Sequence, residues 1–200
     1  MNKETDSAVI AALGLSAGIK PPAPFSFRNR VARQLWGIVY LLLFRSSPRP
    51  MHAWRAWLLK CFGAKLGRNC HFYPRCGVWA PWNLTCEEHV AVGDGAEIYN
   101  PAPVFFGANA IVSQGAYICG ATHAYNDPRF PLVSYPMRFE AYSWVCARAI
   151  VAPGVNLGEG AILGLGSIAT RHLEPYGVYA GVPARKVKER LRSSVPWVQG

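Results

Sequence analysis

The sequence predicts a mainly β fold, a solenoid of short strands wound around a three-sided prism and preceded by two amphipathic helices. Large apolar residues recur every six positions, at Leu66, Phe72, Val78, Leu84 and Val90, then Val92, Ile98 and Val104, then Phe106, Val112 and Ile118. After an interruption the rhythm returns at Phe139, Val145, Val151, Leu157, Leu163 and Ala169. Sixteen of these 17 positions are Leu, Ile, Val or Phe, types that make up about a quarter of the chain, so chance does not account for them. Small residues stand four places after most of them (Cys70, Cys76, Ala96, Ala102, Ala110, Ala116, Thr122, Ser143, Ala149, Ala161 and Ser167), and glycine often follows directly, as in Val92-Gly93 and Leu163-Gly164.

A period of six matches neither a 3.6-residue helix nor an alternating strand. It matches strands that turn a corner every six residues, three to a coil of about 18, with the large residue pointing inward and the small one beside the corner. A β-sandwich, with turns about every 8 to 12 residues, predicts a different spacing.

In chain order, residues 1–24 are rich in Ala, Ser, Gly and Pro, end in KPPAP and read as a mobile tail. Residues 25–65 read as two helices. The first, RNRVARQLWGIVYLLLF, sets Val31, Leu35, Ile38 and Leu42 on one stripe, with Arg28, Arg30 and Arg33 at its start, and Pro48 and Pro50 stop it. The second, MHAWRAWLLKCF, places Met51, Trp54, Leu58 and Cys61 on one face and Arg55 and Lys60 away from it. The solenoid is expected over 66–180 with a loop at 124–138, and 181–200 is a C-terminal segment ending in a tail or short helix.

Charge and composition narrow the function. Hydrophobic residues make up 51% of the chain and charged ones 16%, which excludes a disordered protein. The longest apolar run, Trp36 to Phe44, is about half the length that a spanning helix needs. No basic n-region followed by an apolar run stands at the N-terminus, so export is not expected, and six irregularly spaced cysteines in that setting read as reduced thiols. The net charge is +10: Lys20 to Arg68 holds 10 Lys or Arg and no acid, Asn69 to Ala147 holds 3 basic and 6 acidic residues, and Arg148 to Gly200 holds 7 and 3. Basic ends around a slightly acidic middle do not suggest a nucleic-acid surface, where basic and aromatic residues interleave.

Three pieces are more specific than the repeat: GATHAYNDP, WVCARAIVAPGVNLGEGAILGLGS and AGVPARKVKER. With them the region from Leu66 to about Arg190 resembles the hexapeptide-repeat acyltransferases. With FRSSPRPMHAWRAWLLKCFGAKLG and APWNL added, nearly everything after Phe25 resembles their colanic-acid-type, exopolysaccharide O-acetyltransferase branch. The resemblance implies a left-handed parallel β-helix, against the usual right-handed crossover, a homotrimer with sites between neighbours, and acetyl-CoA as co-substrate. It also implies a sugar acceptor, which a membrane contact by the N-terminal helix would make a lipid-linked sugar; with no export signal expected, the location expected is cytoplasmic.

Transfer from a thioester to a hydroxyl needs a base, and a histidine titrates in the working range. His123 stands where a long loop leaves the repeat, and the resemblance makes it the general base. His52, His71, His89 and His172 read as solvated or structural. No metal is expected, since the loop supplies one histidine where zinc catalysis takes about three, and Cys70 and Cys76 fill small-residue positions of the repeat. On the coil before the histidine, Asp94 and Asn100 are the candidate acceptor contacts, with Glu97 a weaker third; structural corner roles are the alternative for the first two. The columns that carry an Asn and an Asp in maltose and galactoside acetyltransferases hold Gly93 and Pro101 here. Ala124 stands where the family often has an acid directly after the histidine, which leaves Asp127 as a source for an orienting carboxylate.

For CoA, the resemblance implies Ala147 and Leu165 along the pantetheine arm and Trp144 near the thiol. Arg171, Arg185 and Lys188 are the cations for its phosphates. The basic helix at 28–44 has two readings, a cap on the open end of the prism or a peripheral contact with the inner membrane face. The alternative functions are acetylation of serine or an amino sugar, and a non-catalytic β-helix scaffold.

Overall fold

The computed structural model describes residues 26–191; the N-terminal tail and the last nine residues lie outside the described residues. Two helices precede the solenoid. Helix α1 (Phe27–Val39) starts at Ser26, whose hydroxyl accepts the Asn29 N–H at 3.2 Å, and runs into a π turn at Tyr40–Phe44. Helix α2 spans His52–Cys61.

The chain then winds through three sheets. Face A holds β1 (Lys65–Leu66), β4 (Leu84–Cys86), β7 (Val104–Phe106) and β12 (Met137–Phe139), extended by single bridges at Leu157 and Leu173. Face B holds β2 (His71–Phe72), β5 (Ala91–Val92), β8 (Ile111–Val112), β13 (Trp144–Val145), β15 (Ile162–Leu163) and β17 (Gly177–Ala180). Face C holds β3 (Gly77–Val78), β6 (Glu97–Tyr99), β9 (Tyr117–Cys119), β14 (Ile150–Val151) and β16 (Ile168–Ala169). Every pairing within these faces is parallel. Two antiparallel additions complete the fold: a hairpin of β10 (Ala121–His123) and β11 (Leu132–Ser134), and β18 (Arg185–Glu189), which pairs with β17. The C-terminal segment to Glu189 is therefore an added strand, where a tail or short helix was expected.

The six-residue ladder is the core. All its members except half-buried Leu66 are buried, and so are the small corner residues except Thr122. The breaks in the rhythm have a structural cause. Phe72 pairs with Val92 and Ile98 with Ile118, 20 residues apart, whereas Val145 pairs with Leu163, 18 apart. The extra two residues sit where face C turns into face A, at the 3-10 turn Pro81–Asn83 and at Pro101–Pro103. On face A, Cys86 lies in register with Leu66 and Phe106, and Leu84 and Val104 are the added inward residues. Val90 sits in the corner slot that Cys70 and Ala110 occupy one coil away, so it belongs to the corners and not to the face ladder.

Corners between faces A and B place one residue each in the left-handed region: Asn69, His89, Asn109, Tyr142 and Tyr176 have φ between 53° and 60°. Gly160 takes the same position in the remaining coil.

Both helices present different faces to the solenoid than the spacing suggested. On α1 and its π turn the packed stripe is Trp36, Tyr40 and Phe44. The Trp36 indole N–H donates to the Val78 carbonyl at 2.7 Å, and its ring lies 5.1 Å from Phe62. On α2 the buried residues are Arg55, Leu58 and Leu59, while Met51 and Cys61 are exposed. Arg55 reverses expectation for a physical reason: it makes no ion pair with an acid among the described residues, but its guanidinium donates to the carbonyls of Phe72 (2.6 Å), Pro48 (2.9 Å) and Arg49 (2.6 Å) and to the Ser47 hydroxyl (2.7 Å). Those acceptors tie the 47–49 turn to the first coil and make burial of the charge tolerable.

Candidate functional site

The hairpin β10–β11 projects from the edge between faces C and A. Its root is fixed by the Gly120 N–H, which donates to the Tyr99 carbonyl (2.7 Å), by the Tyr135 N–H on the Gly120 carbonyl (2.9 Å), and by buried Val133 and Tyr135. Gly120 is required here: a Cβ would lie 2.4 Å from the Tyr99 oxygen. At the outer end of β10, His123 is exposed, and its Nδ1 lies 2.8 Å from the Phe130 carbonyl. A carbonyl only accepts, so Nδ1 carries a proton, and in the neutral ring the lone pair lies on Nε2. The imidazole also lies flat on the Phe130 ring, with centroids 4.7 Å apart and planes 12° from parallel. Phe130 holds φ at +48°, a strained value that turns its carbonyl back toward β10.

Asp127 does not orient this histidine. It accepts the backbone N–H and the guanidinium of Arg129 (2.8 Å to Oδ2), which hold its carboxyl down at about 2. Phe130 does the orienting through its main chain, a contact without a side-chain signature in the sequence.

The proposed acceptor contacts divide. Asn100 is wholly buried: its Oδ1 accepts the Ala80 N–H and its Nδ2 donates to the Ala80 carbonyl, both at 2.9 Å. It joins two of the lengthened C-to-A corners and offers no surface to an acceptor, so the structural alternative holds. Asp94 lies half-buried at the corner between faces B and C, accepting the Arg75 N–H at 3.0 Å. Glu97 opens into a cleft of about 320 Å³ between α1 and face C, lined also by Arg33, Trp36, Tyr40 and Trp79. Burial raises the Glu97 carboxyl, partly offset by Arg45, and burial pushes the Tyr40 hydroxyl up to about 12.

The residues assigned to CoA gather mostly on one edge. Trp144, on the outer side of β13, donates its indole N–H to the Ser113 hydroxyl at 2.8 Å, which lays the ring along face B. Ser113 is the partner that sequence reasoning missed. Ala147 and Leu165 follow on successive coils at the B-to-C corner, linked by the Gly166 N–H on the Ala147 carbonyl (3.0 Å), and Leu165 is 74% exposed. Arg185 and Lys188 project from β18, in register with Ala180 and Val178. Their neighbour Lys186 is neutralised by Glu174 and Glu189, whereas Arg185 and Lys188 make no ion pair with any acid among the described residues. Arg171 stands on the other edge, where face C turns into face A. Within one chain, His123 and the Trp144–Leu165 group are thus separated by the breadth of face C. Among the described residues no cluster of three His, Cys, Asp or Glu side chains is placed to hold a metal ion.

No family model matches the chain. It is 32% identical over 177 residues to "Putative colanic acid biosynthesis acetyltransferase WcaF" of Escherichia coli (strain K12), a match covering 88% of this chain and 97% of that protein. Galactoside O-acetyltransferase of the same organism is 34% identical over 138 residues, 68% of either chain. Among solved structures, a hexapeptide-repeat acetyltransferase of Vibrio cholerae O1 biovar eltor, complexed with acetyl coenzyme A, matches with a TM-score of 0.75 at 18% identity over 84% of this chain and 91% of its own. A galactoside acetyltransferase in complex with coenzyme A gives 0.71 at 20% identity over 94% and 92%. The structural likenesses speak for the fold, and the sequence likenesses for the lineage. The chain belongs to the hexapeptide-repeat acetyltransferases and is an acyltransferase. Within that family, the likeness to the colanic acid biosynthesis protein runs over almost the whole of both chains.

Proposed function

We propose that this enzyme transfers the acetyl group of acetyl-CoA to a hydroxyl of a surface-glycan sugar or its lipid-linked precursor, with His123 as general base. The observation that carries the reading is the tautomer held by Phe130: Nδ1 is the bound donor, and Nε2 is left able to take a hydroxyl proton. The alkoxide oxygen forms a bond to the thioester carbonyl carbon, the thiolate of CoA leaves, and the imidazolium returns the proton to the sulfur. A backbone N–H opposite the attacked carbonyl would stabilise the tetrahedral oxyanion.

A trimer supports this chemistry. The outer row of face B runs from His71 through Ala91, Ile111, Trp144 and Ile162, and that of face C from Glu97 through Tyr117, Ile150 and Ile168, so both are mostly apolar beyond their first residues, whereas face A carries Lys65, Thr85, Phe105 and Arg138 outward. A three-fold arrangement that sets the C–A edge of one chain, with His123, beside the B–C edge of the next, with Trp144, Ala147 and Leu165, would complete the site between neighbours. Asp94 is then the remaining acceptor contact of the two, and Arg185 and Lys188, joined by Arg171, are the cations for the CoA phosphates. Acetyl transfer to a panel of sugars and lipid-linked sugars, read by mass with sedimentation velocity alongside, tests the reading. Transfer to serine alone, or to nothing, overturns it.

A further inference from the structure

Helix α1 with its π turn is apolar on two sides. Trp36, Tyr40 and Phe44 pack on the solenoid, and a second stripe remains outside: Phe27 is 82% exposed, and Val31, Leu35, Ile38 and Leu42 follow it at 41–61%. This outer stripe is the amphipathic pattern visible in the sequence. The π turn widens it, since Leu41 and Leu43 are also about half exposed or more. Trp54 donates its indole N–H to the Leu43 carbonyl at 3.1 Å and stacks on Trp57 at 5.0 Å, so the exposed Trp57 ring continues the patch onto α2. An apolar surface of this extent that no described residue covers marks a contact.

The rim identifies the partner. Residues 26–86 hold ten Lys or Arg and no Asp or Glu, and Arg28, Arg30, Arg45, Arg49 and Lys60 are exposed on the two helices and the turn between them. An identical patch on a second copy would bring like charge against like charge. An anionic surface with an apolar interior complements both features. No helix among the described residues is long and apolar enough to cross a membrane, so a helix of this character lies in the plane of the interface. Tryptophan at its end suits the headgroup level.

We propose that Phe27–Phe44 and Trp57 dock the enzyme on an anionic lipid bilayer, the apolar stripe entering the headgroup–acyl boundary and the arginines meeting lipid phosphates. This surface lies outside the acetyl-transfer site and its test does not read activity, so its failure would leave the reading above untouched.

Co-sedimentation of the full chain with phosphatidylcholine vesicles, with and without phosphatidylglycerol, tests the proposal. Binding should require the anionic lipid and should weaken as salt rises. Leu35→Glu with Ile38→Glu should lower lipid partitioning about tenfold or more, and Arg28→Glu with Arg30→Glu about tenfold, both with unchanged circular dichroism. On the otherwise unmutated chain, brominated lipid should quench tryptophan emission, and Trp57→Phe should remove most of the quenching. The proposal falls if the wild type stays in the supernatant, if neither quenching nor the stripe variant shows lipid contact, or if the stripe variant alters only the oligomer's mass. That last result would make the stripe an interface between copies.

Discussion

His123 is held from a single residue seven positions away: the Phe130 carbonyl takes its Nδ1 proton at 2.8 Å, and the Phe130 ring supports the imidazole face. Tautomer and ring plane are both set inside one hairpin, before any substrate arrives. A base held this way has little orientational freedom to lose on the way to the transition state.

Replacing His123 with Ala should lower kcat by about 10²- to 10⁴-fold, the range for a general base. CoA affinity, measured by calorimetry, should be little changed, because His123 is assigned to the acceptor hydroxyl and not to a contact with CoA. Near-wild-type turnover would refute the base assignment.

Phe130→Ala leaves the accepting carbonyl but removes the ring beneath the imidazole. Turnover should fall by roughly tenfold, a fraction of the full general-base effect, with the KM for acetyl-CoA little changed. A fall in KM-dependent terms alone would instead assign the ring to substrate contact.

Asn100→Ala should destabilise the fold by about 2–4 kcal/mol, because the Ala80 N–H and carbonyl would be buried without partners. Thermal unfolding reads this directly. A rise in acceptor KM with no loss of Tm would restore Asn100 to the acceptor site.

Arg55→Met should cost about 3 kcal/mol or more, since several main-chain carbonyls and the Ser47 hydroxyl would lose their donor together. Arg55→Lys should recover only part of it, because an ammonium cannot span the acceptors that the guanidinium fork reaches. Equal Tm values for all three proteins would contradict the stapling role.

His52 supplies a pH dependence. Burial lowers its pKa, opposed by the Phe72 carbonyl 2.9 Å from Nδ1, and nearby Arg55, His71 and Arg49 also lower it. The unfolded chain, with an ordinary histidine near 6.5, therefore binds more protons in mildly acidic solution, and stability should fall as pH drops through that value. His52→Gln should flatten the dependence below neutrality. An unchanged slope in urea unfolding between neutral and mildly acidic pH would assign it elsewhere.

Much of this was legible in the chain. The six-residue ladder and the small residues at its corners are local, repeated and enforced by a prism too narrow for any other placement, so they read directly from Leu66 to Ala169. The slips of two were visible, but not their location: Leu84 and Val104 look like ladder residues, and only the register with Cys86 and Phe106 shows them to be additions to face A. The helices were misread for a different reason. Helical spacing finds apolar stripes but does not say which of two will be buried, and α1 has both. Arg55 is expected away from the packed face because charged side chains usually are, and Asn100 reads as an acceptor contact or a corner residue with nothing in the sequence to choose between them; specific main-chain partners, invisible in the sequence, bury both.

The sequence alone therefore determined the architecture, the lineage and the position of the histidine, because each is written in short-range spacing and motif. The tertiary structure decided what those side chains face. It turned Phe130, with no chemical group of its own to recommend it, into the partner of His123, and among the described residues it left the Val31–Leu42 stripe uncovered while burying Trp36 and Phe44. Contacts of that kind depend on where distant main-chain carbonyls and packing surfaces arrive after the coils have stacked, and a local pattern of residues does not encode their direction.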